Sequence, residues 1–357
     1  MELLSVTMND GVMPRSEIEG KDNSSEDKSN YKVVCKGDMV YNSMRMWQGA
    51  NGVSNYDGIV SPAYTVLMPT EEIDNQYFAA LFKTSNLINE FRKNSQGLTS
   101  DTWNLKYPQI RPIRLYIPSL QEQNKISSFI GTLEERIGKQ RQLVDALKKY
   151  KRGAVRDLLS EKSCSLKNAS WTTAKMGELG CFIKGAPLSK ADISEDGTPF
   201  ILYGELYTTY NEVITSVKRR TQAQVNELFL SRVGDVVIPT SGETPEEIST
   251  ASCVMLPGVI LAGDLNIFRG DKVDGRIMSY LLNHVVNAKI ARIAQGKSVV
   301  HVQASELCKL TLTYPDKSTQ NTIIGFLSLL DDKIMNEENA LAFLSDLKEG
   351  LLQQLFI

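Results

Sequence analysis

The stretch PSLQEQ, residues 118–123, opens a helical pattern that continues to about Ser160. Its seam positions follow one another at alternating steps of four and three residues, which is the spacing of a coiled coil. Proline is favoured at the first helical position, so we expect the helix to begin at Pro118. The apolar seam residues are Ile126, Ile130, Leu133, Ile137, Val144, Leu147, Ala154 and Leu158, and the polar ones are Gln140 and Lys151.

The same pattern occurs a second time, 197 residues later and without a gap, so that Pro118 corresponds to Pro315 and Gln123 to Gln320. This distance is far longer than the roughly 20 to 50 residues of a solenoid repeat. It therefore indicates two domains that each end in a long helix. The second seam contains Ile323, Leu327, Leu330, Ile334, Leu341, Leu344, Leu351 and Leu355, with Glu337 and Lys348 at the polar positions.

The repeat predicts an α+β fold made of two similar mixed α/β domains, whose long helices pair as an antiparallel coiled coil. The predicted parts are a first domain at residues 1–117, a first long helix at 118–162, a linker at 163–170, a second domain at 171–314 and a second long helix at 315–357. Alternating or β-branched runs predict strands, and 3.6-residue periodicity predicts helices. In the first domain these are strands at 31–34, 38–41, 58–60, 63–67 and 113–117 and a helix at 75–92; in the second, strands at 200–202, 236–238 and 310–313, a hairpin at 253–256 and 259–261, and a helix at 277–293.

The two domains differ at their beginning. Gly37 is preceded by 36 residues, whereas 63 residues run from Trp171 to Val233 before the corresponding Gly234. The first domain therefore has no counterpart of the opening segment at 171–179, and we expect it to be truncated. An edge strand would be left unpaired, to be covered by an upstream segment, a second copy of the protein or the chain's own C-terminus.

Composition limits the possible functions. The 357 residues have a net charge of −2, so any surface for nucleic acid would have to be a local patch. The five cysteines show no Cys-x-x-Cys spacing and there are two histidines, so we expect reduced thiols and no structural zinc. No apolar run approaches the roughly 20 residues that span a bilayer. We therefore expect a soluble, cytoplasmic protein that does not contact a membrane.

No catalytic, metal or cofactor site is predicted. The sequence Gly296-Lys297-Ser298 resembles the end of a phosphate-binding loop, but Ala291 stands where that loop needs glycine. Asp316 and Lys348 could imitate a nuclease site, yet some thirty helical residues separate them by roughly 45 Å. The chain has no Pro-Pro dipeptide, so the Pro-Pro-Tyr motif of amino-methyltransferases is absent. The sequence therefore indicates a binding protein and not an enzyme.

Polar and aromatic stretches with nearby glycines are the candidate DNA-binding sites, because bases and phosphates are contacted by Asn, Gln, Arg and Lys side chains and by closely approaching backbone. Each of them is also compatible with an ordinary surface loop. The candidates are Asn42, Arg45, Trp47, Gln48 and Asn51 in the first domain, and Lys184, Lys218, Arg219, Arg220, Ser241, Arg292 and Lys297 in the second.

The duplicated helix beginning, at residues 117–126 and in degraded form at 314–323, together with Trp171 and the Gly177-Glu178-Leu179 motif, resembles the specificity subunit of type I restriction-modification enzymes. The resemblance covers essentially the whole chain. It implies two target-recognition domains that each recognise one half of a bipartite double-stranded DNA site. It also implies two methyltransferase subunits bound to the helix pair, with helicase-nuclease restriction subunits joining through them. Such a complex would be a site-specific endonuclease and adenine methyltransferase in defence against foreign DNA, while this chain would be non-catalytic and without cofactor.

The alternative function is a scaffold that dimerises through its long helices without binding DNA. Two like domains on paired helices favour DNA, because such an arrangement suits a ligand with two half-sites. We expect specific, salt-sensitive binding only in the complex with methyltransferase subunits. For the helix pair we expect a register in which polar residues face each other, Lys151 opposite Glu337 and Gln140 opposite Lys348.

Overall fold

The structure is a computed structural model that describes residues 1–8, 10–20, 22, 24–99, 102–163, 166, 168–294 and 300–356, with the backbone alone at residue 246. Its contacts divide the chain into two compact units. Unit 1 consists of Met1–Leu143 and Glu337–Ile357, and unit 2 of Val144–Asn336. Each unit therefore contains part of both long helices. Among the described residues, no helix is long and apolar enough to cross a membrane.

Unit 1 is built from two small sheets and three short helices against the long helices. The sheets have the strand orders β2-β1-β6-β3 and β5-β4-β7. The elements are β1 (Glu2–Thr7), β2 (Gly11–Pro14), β3 (Lys32–Val34), β4 (Met39–Asn42), β5 (Asn51–Val53), β6 (Gly58–Val60), β7 (Tyr64–Leu67), α1 (Asn75–Leu81), α2 (Ser85–Asn94), α3 (Tyr107–Ile110) and the first part of α4 (Leu120–Leu158).

Unit 2 repeats this plan with additional strands. Its main sheets have the orders β12-β10-β16 and β11-β15-β13-β17-β9, and two further pairs are β14-β18 and β19-β8. The elements are β8 (Trp171–Lys175), α5 (Met176–Leu179), β9 (Cys181–Lys184), β10 (Thr198–Leu202), α6 (Glu205–Thr208), β11 (Val213–Ile214), β12 (Arg219–Thr221), β13 (Asp235–Pro239), β14 (Ser241–Gly242), α7 (Pro245–Ile248), β15 (Ser252–Val254), β16 (Ile260–Ala262), β17 (Leu265–Arg269), α8 (Gly275–His284), α9 (Asn287–Ile293), β18 (Val300–His301), α10 (Ala304–Leu307), β19 (Thr311–Pro315) and α11 (Lys317–Leu355).

Matched hydrogen bonds identify equivalent positions in the two units. In unit 1, the Gln123 side chain of α4 accepts a hydrogen bond from the backbone N–H of Asp74, which caps α1, at 3.0 Å. In unit 2, Gln320 of α11 accepts the same bond from Asp274, which caps α8, at 2.8 Å. Because one buried glutamine fixes each short helix to its long helix, α1 and α2 correspond to α8 and α9 with a shift of 200 residues, from Asp74 to Asp274.

The predicted strand at 113–117 is wrong, because these residues form no strand in unit 1. The corresponding β19 of unit 2 is an antiparallel partner of β8, from Thr311 opposite Lys175 to Pro315 opposite Trp171. An apolar run without a partner strand cannot complete its backbone hydrogen bonds as a ladder. The segment therefore stays outside any sheet at the surface, where the Tyr116 side chain is fully exposed.

Three smaller expectations also need correction. The helices predicted at 75–92 and 277–293 are each two helices. The predicted hairpin at 253–261 does not form, because β15 pairs with β13 and β16 pairs with β10. Helix α4 begins at Leu120, two residues after Pro118. There the Ser119 hydroxyl and the Glu122 carboxylate bond to each other at 3.0 Å and satisfy the first backbone N–H groups as a capping pair.

The apolar seams of the long helices are confirmed, since the two helices pack together along them in antiparallel directions. Ile130, Ile137 and Val144 are buried on α4, as are Ile323, Leu327 and Leu344 on α11. Within unit 1, Ile130 packs with Leu352, whereas Gln140, ten residues further along α4, bonds to Glu337, fifteen residues earlier in α11. Residue numbers therefore rise along α4 where they fall along α11, so the two helices are antiparallel.

The expected register of this pair is wrong. The Gln140 side chain bonds to Glu337, at 2.6 Å from its carboxylate, and not to Lys348. Lys348 instead pairs with Glu134 at 2.6 Å, and Lys151 pairs with Asp331 at 2.6 Å. The prediction required polar residues of the seam to face each other, but a lysine side chain is long enough to leave the seam and reach a carboxylate beside it. Both lysines are therefore paired with carboxylates in the observed register.

Candidate nucleic-acid interface

The connection from the central strand β4 to β5 in unit 1 holds the five first-domain candidates. Asn42 ends β4, and its side-chain oxygen accepts a hydrogen bond from the backbone N–H of Met44 at 3.0 Å, which turns the chain. A short 3₁₀ helix at Met46–Gln48 follows, and Gly49 adopts a left-handed conformation with φ 83°. Asn51 is fully buried and donates to the carbonyl of Gly49 at 3.1 Å. Asn51 therefore shapes the loop, while Arg45 is exposed on it.

An aromatic and cationic cluster forms beside this loop. The indole rings of Trp47 and Trp103 meet edge to face with their centroids 5.2 Å apart. The guanidinium of Arg92, on α2, lies 5.7 Å from the centre of the Trp47 ring. Such a contact holds a flexible arginine in place while its charge stays exposed to solvent. Arg92 and Trp103 were not among the sequence candidates.

Unit 2 places a similar arrangement after its own central strand. The chain leaves β13, forms β14 and then α7, which packs against α9 as the 3₁₀ helix at Met46–Gln48 packs against α2. Arg292 lies exposed on α9 at the position that corresponds to Arg92. The Ser241 hydroxyl, in β14, donates to the Asp264 carboxylate at 2.8 Å and is buried. Ser241 therefore braces the loop, whereas Arg292 presents a charge.

Lys184 lies at the same end of the five-stranded sheet as Ser241. It ends β9, is exposed and faces Asn266 across the ladder to β17. Ser241 begins the pair of β14 with β18, where it faces His301. The structure thus brings Lys184, Ser241 and His301 to the end of the sheet at which β9 and β13 finish, and His301 was missed as a candidate.

The basic run at 218–220 lies elsewhere in unit 2, on the edge strand β12 and the residue before it. Arg219 forms an ion pair with Glu205 at 2.8 Å, and Arg220 donates to the carbonyl of Gly197 at 2.8 Å. Both arginines and Lys218 are exposed. Because these two side chains already stabilise their own sheet, they are weaker candidates for phosphate contact than Arg292. Lys297 lies outside the described residues.

In the part of the chain that the structure describes, no three His, Cys, Asp or Glu side chains meet as metal ligands would. The exposed groups are arginine, lysine and amide side chains on short loops. Such groups can donate hydrogen bonds to phosphates and base edges.

Comparison with known proteins identifies a protein family and a relative that this chain resembles. Residues 5–149 match the type I restriction modification DNA specificity domain. The putative type I restriction enzyme MjaX specificity subunit of Methanocaldococcus jannaschii is 22% identical over 346 residues, which cover 88% of this chain and 76% of that protein.

Two solved structures share the fold at low sequence identity. The specificity subunit of a type I restriction-modification system from M. genitalium aligns with a TM-score of 0.60 and 14% identity, over 99% of this chain and 94% of that one. A chain from work on complex assembly and conformational transition of the type I restriction-modification system aligns with a TM-score of 0.57 and 18% identity, over 91% and 83%. The chain is thus similar to type I restriction-modification specificity subunits, and its residues 5–149 match the DNA specificity domain of that family.

Proposed function

We propose that this chain is the DNA-recognition subunit of a type I restriction-modification complex, in which each unit contacts one half of a bipartite double-stranded site. The observation that carries the proposal is the repeated arrangement of a loop after the central strand, a short helix and an arginine, Arg92 in unit 1 and Arg292 in unit 2. A ligand with two half-sites is the partner that a duplicated surface of this kind suits.

The same proposal assigns the remaining subunits to the long helices. Large apolar side chains outside the seam are exposed at equivalent positions of the two helices, Phe129 and Tyr150 on α4 and Phe326 and Leu347 on α11. Exposed apolar side chains at repeated positions favour two copies of one protein partner. We assign these positions to two methyltransferase subunits, through which helicase-nuclease subunits would join. The chain itself would be non-catalytic and would act in the cytoplasm.

The alternative of a scaffold that dimerises through its long helices is less well supported. The apolar seams of α4 and α11 face each other within one chain, since Ile130 packs with Leu352 and Gln140 bonds to Glu337. A helix whose seam is already covered has no second seam with which to form a coiled coil.

A domain exchange tests the proposal. Residues 171–314 are replaced by the corresponding segment of a relative with a different target, and the chimera is expressed with its methyltransferase subunits. Methylome sequencing is expected to show one altered half-site and one unchanged half-site. The matched control exchanges residues 1–117 instead and is expected to alter the other half. Changes in both halves from a single exchange would contradict the assignment of one half-site to each unit.

A further inference from the structure

The two long helices carry a lysine at the same position, Lys151 and Lys348, and the units surround these lysines differently. In unit 2, the ammonium of Lys151 lies 2.7 Å from Glu212 and 2.6 Å from Asp331. It also lies 5.4 Å from the centre of the Tyr280 ring, and the Tyr280 hydroxyl donates to Asp331 at 2.9 Å. The lysine is therefore enclosed by two carboxylates and an aromatic ring.

Unit 1 supplies only part of this environment. Lys348 pairs at 2.6 Å with Glu134, which corresponds to Asp331. The residue that corresponds to Tyr280 is Ala80, because α1 and α8 are related by the shift from Asp74 to Asp274. Glu212 lies in the long connection between β10 and β12, which contains α6 and β11. The corresponding strands of unit 1 are β1 and β2, and they are joined by a hairpin in which Thr7 is opposite Gly11. The ring is thus missing among the described residues of unit 1, and the carboxylate of the β1–β2 connection, Asp10, pairs with Arg141 at 3.5 Å.

A cavity of about 650 Å³ occupies this place in unit 1. Its charged lining consists of Lys83, Arg141 and Lys348 with Asp10 and Glu134, and Ala80, Ile130 and Leu352 contribute apolar surface. Arg141 lies 3.5 Å from Asp10, and Lys348 pairs with Glu134. Within the part of the chain that the structure describes, Lys83 forms no ion pair. The charged side chains of the lining therefore have a net charge of +1.

The environment of Lys83 favours an anionic ligand. Burial lowers the pKa of its ammonium and the positive charge of Lys348 lowers it further, and the Glu134 and Asp10 carboxylates, which act to raise it, do not outweigh these two effects. In unit 2, burial also acts to lower the pKa of Lys151, but Glu212 and Asp331 outweigh it and raise the pKa. A carboxylate in the unit 1 cavity would stabilise the charged form of Lys83 in the same way.

We propose that this cavity binds a carboxylate. Lys83 and Lys348 hold the carboxylate as Lys151 holds Glu212 in unit 2. The aromatic or short apolar body of the ligand rests on Ala80, Ile130 and Leu352, in place of the Tyr280 ring. The carboxylate can belong to a free small acid or to an acidic side chain of a protein partner. The presence of this binding site in the free chain does not depend on the proposed function.

The first experiment uses the full chain with its lysines carrying ¹³C-methyl groups, and 3-(4-hydroxyphenyl)propionate as the probe. The acid is expected to shift the NMR signal of Lys83 in a saturable way and to raise its pKa, whereas the corresponding amide, which lacks the charge, is expected to do neither. Signals are assigned with Lys83→Arg and Lys348→Arg.

Two variants in the cavity and one control outside it test whether the acid binds in this cavity. Ala80→Tyr places in unit 1 the side chain that fills this space in unit 2, and it is expected to weaken binding of the acid at least tenfold. Lys83→Met is expected to do the same by removing a positive charge of the lining and serves if Ala80→Tyr fails to fold. The matched control is Lys93→Met, which removes an exposed lysine paired with Glu90 and is expected to leave binding unchanged.

A second experiment distinguishes the source of the carboxylate. If a protein partner supplies it, Lys83 of the complex with the methyltransferase subunits is expected to resist reductive methylation and to show no shift with the acid. If a free acid supplies it, Lys83 of the complex is expected to react and to shift as in the free chain. The proposal is overturned if the acid shifts no Lys83 signal in the free chain and Lys83 is equally reactive with and without partners, or if Ala80→Tyr and Lys83→Met bind the acid as tightly as the unchanged chain.

Discussion

Gln140 and Glu337 occupy the same position in the two copies of the long helix, and their side chains bond to each other at 2.6 Å. The Gln140 amide also donates to the backbone carbonyl of Glu337 at 3.0 Å. The ion pairs are related in the same way. Glu134 corresponds to Asp331 and Lys348 to Lys151, so the pair of Glu134 with Lys348 is equivalent to the pair of Asp331 with Lys151. The two copies of the long helix therefore pair with each other through corresponding residues.

This contact predicts a coupling that a double-mutant cycle can measure. Gln140→Leu removes the amide that donates to the Glu337 carboxylate in a half-buried seam, and we expect a loss of about 1 to 3 kcal/mol in the free energy of unfolding. Adding Glu337→Leu replaces both partners by apolar groups and is expected to recover most of this loss. Urea unfolding of the four proteins gives the coupling energy. Additive losses in the double variant would show that the contact contributes nothing to the pairing of the helices.

Glu212 predicts a dependence of stability on pH in unit 2. Burial alone would raise the pKa of its carboxyl, but the hydrogen bond from His284 and the Lys151 charge lower it from 4.5 to about 2. A carboxyl whose pKa is lower in the folded state stabilises the fold above its unfolded pKa. This stabilisation is lost as the pH falls from about 4.5 towards about 2, and it amounts to roughly 3 kcal/mol.

Urea unfolding of the full chain between about pH 6 and about pH 2 measures this loss. Glu212→Gln is expected to be less stable at neutral pH, because Lys151 loses one of its two carboxylates, and to show a flatter decline on acidification. The control is Glu135→Gln, which removes an exposed carboxylate paired with Lys139. Equal pH dependence in the Glu212→Gln variant and in the unchanged chain would rule out a stabilising role for this carboxylate.

Hydrogen exchange should differ between the two segments that precede the long helices. Residues 311–315 form a complete ladder with 171–175, so their bonded amides are expected to be protected. Residues 114–117 belong to no strand or helix, so their amides are expected to exchange at rates close to those of an unstructured peptide. Mass spectrometry of the full chain resolves both segments. Comparable protection of 114–117 and 311–314 would mean that another strand covers the first segment in solution.

Arg92 and Arg292 are expected to contribute equally to DNA binding in the assembled complex. Replacing either by alanine should weaken binding to the target and reduce the slope of log affinity against log salt by about 1, because one phosphate contact and its released counterions are lost. Fluorescence anisotropy at several salt concentrations measures the slope. Lys139→Ala is the control, since this lysine is paired with Glu135 on the long helix. An unchanged slope in both arginine variants would exclude these positions from phosphate contact.

Part of the candidate surface could have been found from the sequence. Arg292 was recognised as a basic residue, but Arg92 was not, because the shift of 197 between the long helices does not hold between α2 and α9. Aligning Asp74 with Asp274, the N-caps of α1 and α8, would have revealed the equivalence. The burial of Asn51 and the packing of Trp47 on Trp103 depend on side chains distant in sequence, so local composition could not separate loop-shaping residues from exposed ones.

The sequence by itself determined the duplication, the two long helices and their apolar seams, because an amphipathic period of this length stays visible whatever the tertiary environment. Only the tertiary structure decided which residues face each other along the seams. Lys151 is held by Asp331 from the partner helix and by Glu212 from a distant strand connection, and no periodicity in the long helices records that second carboxylate. The same holds for residues 113–117, whose strand-forming composition is not sufficient without a partner strand, since a ladder is a property of two segments and not of one.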